Sequence, residues 1–177
     1  MAQERYKNYI RSKNLIRDAF SQLIDQKRDI TKVNVREIIA IAGISKSTFY
    51  CHYKNVYAIA DEIEAELLAD FNAITKEDLV VEKIVKTYKK NEKTFKLMYS
   101  TNHNEKFTFR LRDLLVDKVL KESNYLKNEE ANARQFKTLL LVNCILFSTI
   151  DYLKGNTLEK DYDSIDKILK EVIEKLR

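Results

Sequence analysis

Not one proline occurs in the 177 residues of this chain, and only two glycines do, Gly43 and Gly155. These are the residues that break helices, whereas Leu, Ile, Lys, Glu and Ala, which favour them, are abundant. A chain so poor in breakers is expected to be all-α. Hydrophobic residues make up 45% of it and charged ones 33%, which provides a core and argues against a disordered, charge-rich chain. No strand pattern, repeat or low-complexity segment competes with helix.

Scarcity makes the place of Gly43 informative. It follows VREIIAIA, in which Val35, Ile38, Ile39 and Ala42 form an apolar stripe at helical spacing, and it precedes ISKSTFYCHYKN. Asn34 is placed to cap the first helix and Ser45 the second, Lys46 to about Tyr53, since short side-chain oxygens satisfy the free N–H groups of a first turn. Gly43 ends the first helix by taking the left-handed conformation at little steric cost. On the second, Phe49 and Tyr53 share an inward face with Ile44, while Lys46, Ser47, Tyr50, Cys51 and Lys54 fall on the other side.

Upstream, Leu15, Ile16, Ala19, Phe20, Leu23 and Ile24 predict a helix over Ser12–Gln26, with QKRDITKV as its polar exit. Downstream, Val56, Ile59, Ala60, Ile63, Leu67 and Leu68 predict a helix from near Asn55 to about Phe71. Helices over about 76–89, 91–100, 104–123, 129–153 and 161–176 follow, about nine in all. The expected division is a three-helix head, residues 1–55, and a helical-bundle body, residues 56–177.

The charge is uneven. Residues 1–60 carry 11 Lys and Arg against 5 acids, while the other 117 residues carry 21 against 22. A polyanion-binding head on a neutral body is the simplest explanation, a merely solvated basic surface the bland one. The N-terminus, MAQERYKNYIRSK, has no apolar signal core. The longest uncharged run, Thr138–Ile150, is 13 residues, short of the ~20 a membrane span requires. The expectation is a soluble cytoplasmic protein with no membrane contact.

Catalysis is not expected. Cys51 and His52 are neighbours on one predicted helix, so their side chains diverge by ~100° and make no nucleophile–base pair. Neither Cys51 nor Cys144 sits in a CxxC or Cys/His cluster, so no metal site is expected. There is no glycine loop to cradle a phosphate, and no cofactor is expected.

Two short helices joined by a tight turn make a helix-turn-helix, whose second helix lies in the major groove. Ser, Thr, Tyr and Lys can donate to phosphates; Lys46 can reach guanine acceptors, and the methyl of Thr48 can meet a thymine methyl. Arg36, on the preceding helix, is long enough for a base or a phosphate. Any αα-hairpin can imitate such a pattern.

REIIAIAGISKSTFYCHYKN is more specific. With its Ala-Gly turn, its Ser and Thr, and its Tyr-x-His-aromatic run behind one amphipathic helix, it resembles the DNA-binding head of TetR-family transcriptional regulators over roughly residues 12–60. The resemblance implies double-stranded DNA as partner. It places DNA contacts on Arg36, Lys46, Ser47, Thr48, Tyr50, Cys51 and His52, with Asn34 and Ser45 as caps and phosphate ligands. Where the family often carries Lys two residues after Lys54, this chain has Val56, which leaves that contact to Lys54. Cys51 stands where an aromatic is common.

The resemblance further implies a dimerising body that often binds a small-molecule effector, and a repressor on a pseudo-palindromic operator. FKTLLLVNCILFSTIDYL, apolar nearly all round, independently demands cover on more than one side. With the amphipathic last helix it nominates Phe136, Leu140, Ile150, Ile165, Ile168, Leu169, Val172, Ile173 and Leu176 as a homodimer interface; a monomeric bundle burying the same helix is the alternative. Tyr88, Tyr99, His103, Phe107, Asn143, Cys144 and Ser148, polar or aromatic groups within apolar helices, are candidate effector contacts or ordinary core residues. The competing function is a helical dimeric adaptor that binds a protein partner instead of DNA.

Overall fold

The structure, a computed structural model, describes residues 2–74, 80–99, 105–122 and 126–154, together with 167, 171 and 174. Every regular element among them is helical. In chain order they are α1 (Ala2–Lys27), a 3-10 turn (Ile30–Lys32), α2 (Val35–Ala42), α3 (Lys46–His52), α4 (Val56–Asn72), α5 (Val80–Lys90), α6 (Glu92–Tyr99), α7 (Glu105–Glu122) and α8 (Ala131–Lys154). The expected helix over 161–176, with Ile165, Ile168, Leu169, Val172, Ile173 and Leu176, lies outside the described residues, apart from Lys167, Glu171 and Glu174, each helical and exposed.

The turn around Gly43 is built from local signals. The Asn34 side chain accepts from the Glu37 N–H at 3.1 Å, and the Glu37 carboxylate reaches back to the Asn34 N–H at 3.3 Å. This reciprocal cap fixes the start of α2. Gly43 has φ +62° and its N–H bonds to the Ile39 carbonyl, closing the helix. Ser45 then caps α3, its Oγ accepting from the Thr48 N–H at 3.0 Å.

A Cβ added at Gly43 would meet nothing within 4 Å, so space does not select glycine here; the backbone conformation does. Gly43→Ala is therefore expected to cost about 1–2 kcal/mol, the left-handed penalty alone. Chemical denaturation measures it, and a neutral result would remove the argument.

Three sequence expectations are corrected. α1 begins at Ala2, ten residues before Ser12, because residues 2–11 hold no breaker even though they carry no apolar stripe. Leu15, counted in that stripe, is turned outward and exposed. The segment expected to be a polar exit also contributes to the core, since Ile30 and Val33 are buried. Among the non-glycine residues, Arg28 takes a left-handed φ of 55° to make that corner.

One continuous core runs through the chain, from Ile16, Phe20, Ile38 and Phe49 at one end, along Ile59, Ile63 and Phe71 of α4, to Phe95, Phe107, Leu111 and Leu146. α4 belongs to both ends. Buried Lys118 of α7 ties the body to the end of α4, donating to the Ile74 carbonyl at 2.5 Å and to Glu122 at 3.1 Å. Glu64 of α4 is paired with Arg110 of α7. Among the described residues no helix is long and apolar enough to cross a membrane.

Candidate nucleic-acid interface

Phe49 and Tyr53 pin α3 to the core, at 0% and 4% exposure. At ~100° per residue this turns Lys46, Ser47, Tyr50 and Cys51 outward together; these four and Lys54, two residues past the end of α3, are exposed. Lys46 lies 6.0 Å from the Tyr50 ring centroid, a cation–π arrangement that holds the two as one donor patch. Arg36 of α2 is exposed as well.

The local cations divide into two sets. Lys13 pairs with Glu62 at 2.9 Å, Arg17 with Glu66 at 2.6 Å and Lys27 with Glu37 at 2.6 Å. Arg36, Lys46 and Lys54 make no ion pair among the described residues. Charge already matched adds little to binding a polyanion, whereas unmatched surface charge releases counterions from one. The unmatched set borders the exposed side of α3.

Three of the predicted contacts are otherwise engaged. Asn34 spends its side chain on the cap, its amide nitrogen donating to Glu37 at 2.7 Å. The Ser45 hydroxyl lies 2.8 Å from that of Ser47 and 2.7 Å from that of half-buried Thr48. His52 does not join the exposed row. Half-buried, it faces α1, with Nε2 2.8 Å from the Ser12 hydroxyl and its ring centroid 4.3 Å from that of Tyr9. Burial, then nearby Lys13, lowers its pKa, so at neutral pH it brings no charge to a phosphate.

Behind α3 lies a network absent from the sequence-based site. Glu62 of α4 accepts from the Tyr53 hydroxyl at 3.1 Å and from Arg17 at 3.3 Å, besides its bond with Lys13. Arg17 grips Glu66 with both nitrogens, at 2.7 and 2.6 Å, and this hydrogen bonding holds the Glu66 carboxyl below its ordinary pKa. Burial, followed by the charge of Glu62, pushes the Tyr53 phenol up. The network fastens α3 and α4 to α1. The matching i, i+4 spacings of Lys13/Arg17 and Glu62/Glu66 were the available sequence signal.

In the body, Tyr88, Tyr99 and Phe107 are buried around Phe95, with centroids 4.7, 5.9 and 6.1 Å from it. They pack as one aromatic cluster in the core. Asn143 and Ser148 are half-buried on α8, Cys144 is exposed, and His103 lies outside the described residues. α8 is two-sided. Leu141, Val142, Ile145, Leu146 and Ile150 are buried within the protomer, so Ile150 belongs to the core and not to an outward face. Phe136, Leu140 and Phe147 stay 62%, 51% and 49% exposed.

By sequence, the chain matches no protein-family model and no curated protein. Its shape matches solved structures. A TetR transcriptional regulator from Streptococcus agalactiae 2603V superposes with a TM-score of 0.68 at 20% identity, over 98% of this chain and 99% of that one. The dihydroxyacetone kinase operon activator DhaS superposes at 0.63 and 21% identity, over 92% and 96%. Likeness at such low identity, running end to end, establishes architecture: the chain has the fold of the TetR-type transcriptional regulators.

Proposed function

We propose that the protein is a sequence-specific DNA-binding transcriptional regulator that works as a homodimer. Residues 1–55 form its reading head and 56–177 its dimerising body. One observation carries this: the exposed row Lys46, Ser47, Tyr50 and Cys51 on α3, with exposed Lys54 just past its end, locked from behind by Phe49 and Tyr53. Arg36, Lys46 and Lys54 supply unmatched charge, Ser47 and Tyr50 supply hydroxyl donors, and Thr48 lies at the edge. α2, the Gly43 turn and α3 act as a helix-turn-helix, with α3 in the major groove. The exposed Phe136, Leu140 and Phe147 of α8 supply an apolar stripe for a second copy, which pairs the heads on a pseudo-palindrome. Repression by occupying an operator is the simplest mode and requires no effector.

The test is binding to the duplex beside the protein's own gene, at two salt concentrations and with competitor DNA. Lys46→Ala and Tyr50→Ala are each expected to weaken specific binding roughly tenfold, the scale of a lost base-edge or phosphate contact. Both side chains are exposed, so sedimentation and circular dichroism should not change. Unaltered affinity in both variants would remove α3 from the interface. Salt-independent binding would instead favour a protein-partner adaptor.

A further inference from the structure

The early start of α1 carries basic residues to a place that nothing so far has assigned. Lys13–Glu62 and Arg17–Glu66 both join residues 49 apart in sequence. Two contacts with one offset mean that α1 and α4 run side by side in the same direction. Carried back by two turns, ~12 Å at 1.5 Å per residue, that offset sets Arg5 level with Lys54, at the α3–α4 corner. The side of α1 on which Arg5 stands is fixed independently. Arg5 precedes Tyr9 by four residues, so the two share a face, and the Tyr9 ring lies against His52 at the end of α3. Arg5 therefore stands one turn beyond that ring contact. It is exposed and makes no ion pair among the described residues; the same holds for Lys54.

We propose that Arg5 is a second DNA contact, binding a backbone phosphate next to the one that Lys54 meets, beside the groove that α3 occupies. The proposal rests on the DNA-binding function above. A planar guanidinium suits a phosphate because it donates two parallel hydrogen bonds. The contact reads no base, so it adds affinity equally on every sequence and fixes how α3 enters the groove. Ser12, bonded to His52, and Tyr9, its ring packed at a tilt against it, hold the arm in step with α3. Lys7 lies ~200° around α1 from Arg5 and faces away, although it carries the same charge.

The salt dependence of binding to a mixed-sequence duplex tests this without an operator in hand. Arg5→Ala should lower the slope of log K against log salt by about 0.9 per protomer, with affinity roughly tenfold weaker at 0.1 M salt. Arg5→Lys should keep most of the slope, and Lys7→Ala should leave it unchanged. All three positions are exposed, and circular dichroism checks that α1 persists. An Arg5→Ala slope equal to wild type overturns the contact, as does an equal loss in Lys7→Ala, which would reduce the effect to net charge. A wild-type protein that binds no duplex overturns the DNA function itself, a result distinct from either.

Discussion

Phe95→Ala is expected to lower the stability of the protein by about 3–5 kcal/mol, the cost of deleting a wholly buried aromatic side chain. Phe95 is 0% exposed. Its ring lies 4.7–6.1 Å from those of Phe71, Tyr88, Tyr99 and Phe107, contributed by α4, α5, α6 and α7. Three neighbouring helices thus lose a shared contact with α6 at once, and rings that size relax poorly into the space left behind. For a domain of this length the loss corresponds to a fall in melting temperature of roughly 6–20 °C. Calorimetry reads it directly. A shift below a couple of degrees would mean that the cluster collapses around the cavity and that the body is far more plastic than its packing implies. Phe95→Leu, retaining much of the volume, should recover part of the loss.

Leu140→Asp is expected to convert the proposed dimer into monomers, and to remove operator binding with it. Leu140 is 51% exposed in the protomer, in line with Phe136 one turn before and Cys144 one turn after. On such a stripe, a carboxylate placed opposite its symmetry mate loses water and finds no partner, a cost of several kcal/mol per ion. The side chain points away from the protomer's core, so the monomer should keep its helical spectrum and melting behaviour at low concentration. Sedimentation at several concentrations measures the effect. An unchanged dimer would move the interface elsewhere, and a monomeric wild type would end the homodimer proposal.

How much the sequence disclosed depended on whether a feature was local. The α2–Gly43–α3 corner was readable because each part of it, the Asn34 cap, the left-handed glycine and the Ser45 cap, is specified within a few residues. The inward turn of Phe49 and Tyr53 followed from spacing alone. The start of α1 was not readable, since residues 2–11 are helical through the lack of any stop signal and not through an apolar stripe. Nor was the direction of His52, because it depends on where α1 passes and not on α3. The body is less legible for a related reason. Tyr88, Tyr99 and Phe107 look the same in sequence whether they line a cavity or close one, and their packing around Phe95 is set by helices distant in the chain. Likewise the run from Phe136 to Leu153 reads as apolar nearly all round, and its two sides separate only once α7 and α6 have packed against one of them.

Glu62 and Glu66 of α4 face α1, and Asp70 follows one turn later, against Lys13 and Arg17 at the same interval. Such a ladder is degenerate. If α4 slid back by one turn, about 5.4 Å, Lys13 would meet Glu66 and Arg17 would meet Asp70, with as many ion pairs as before. Attraction between the two helices therefore does not select their alignment. What breaks the tie sits at the two ends of the ladder: the Tyr53 hydroxyl on Glu62 at 3.1 Å, and Lys90 and Asn91 on Asp70, each at 3.0 Å. Three groups outside the α1–α4 pairing, not the ion pairs between those two helices, act as the index marks that keep this scale from slipping by one division.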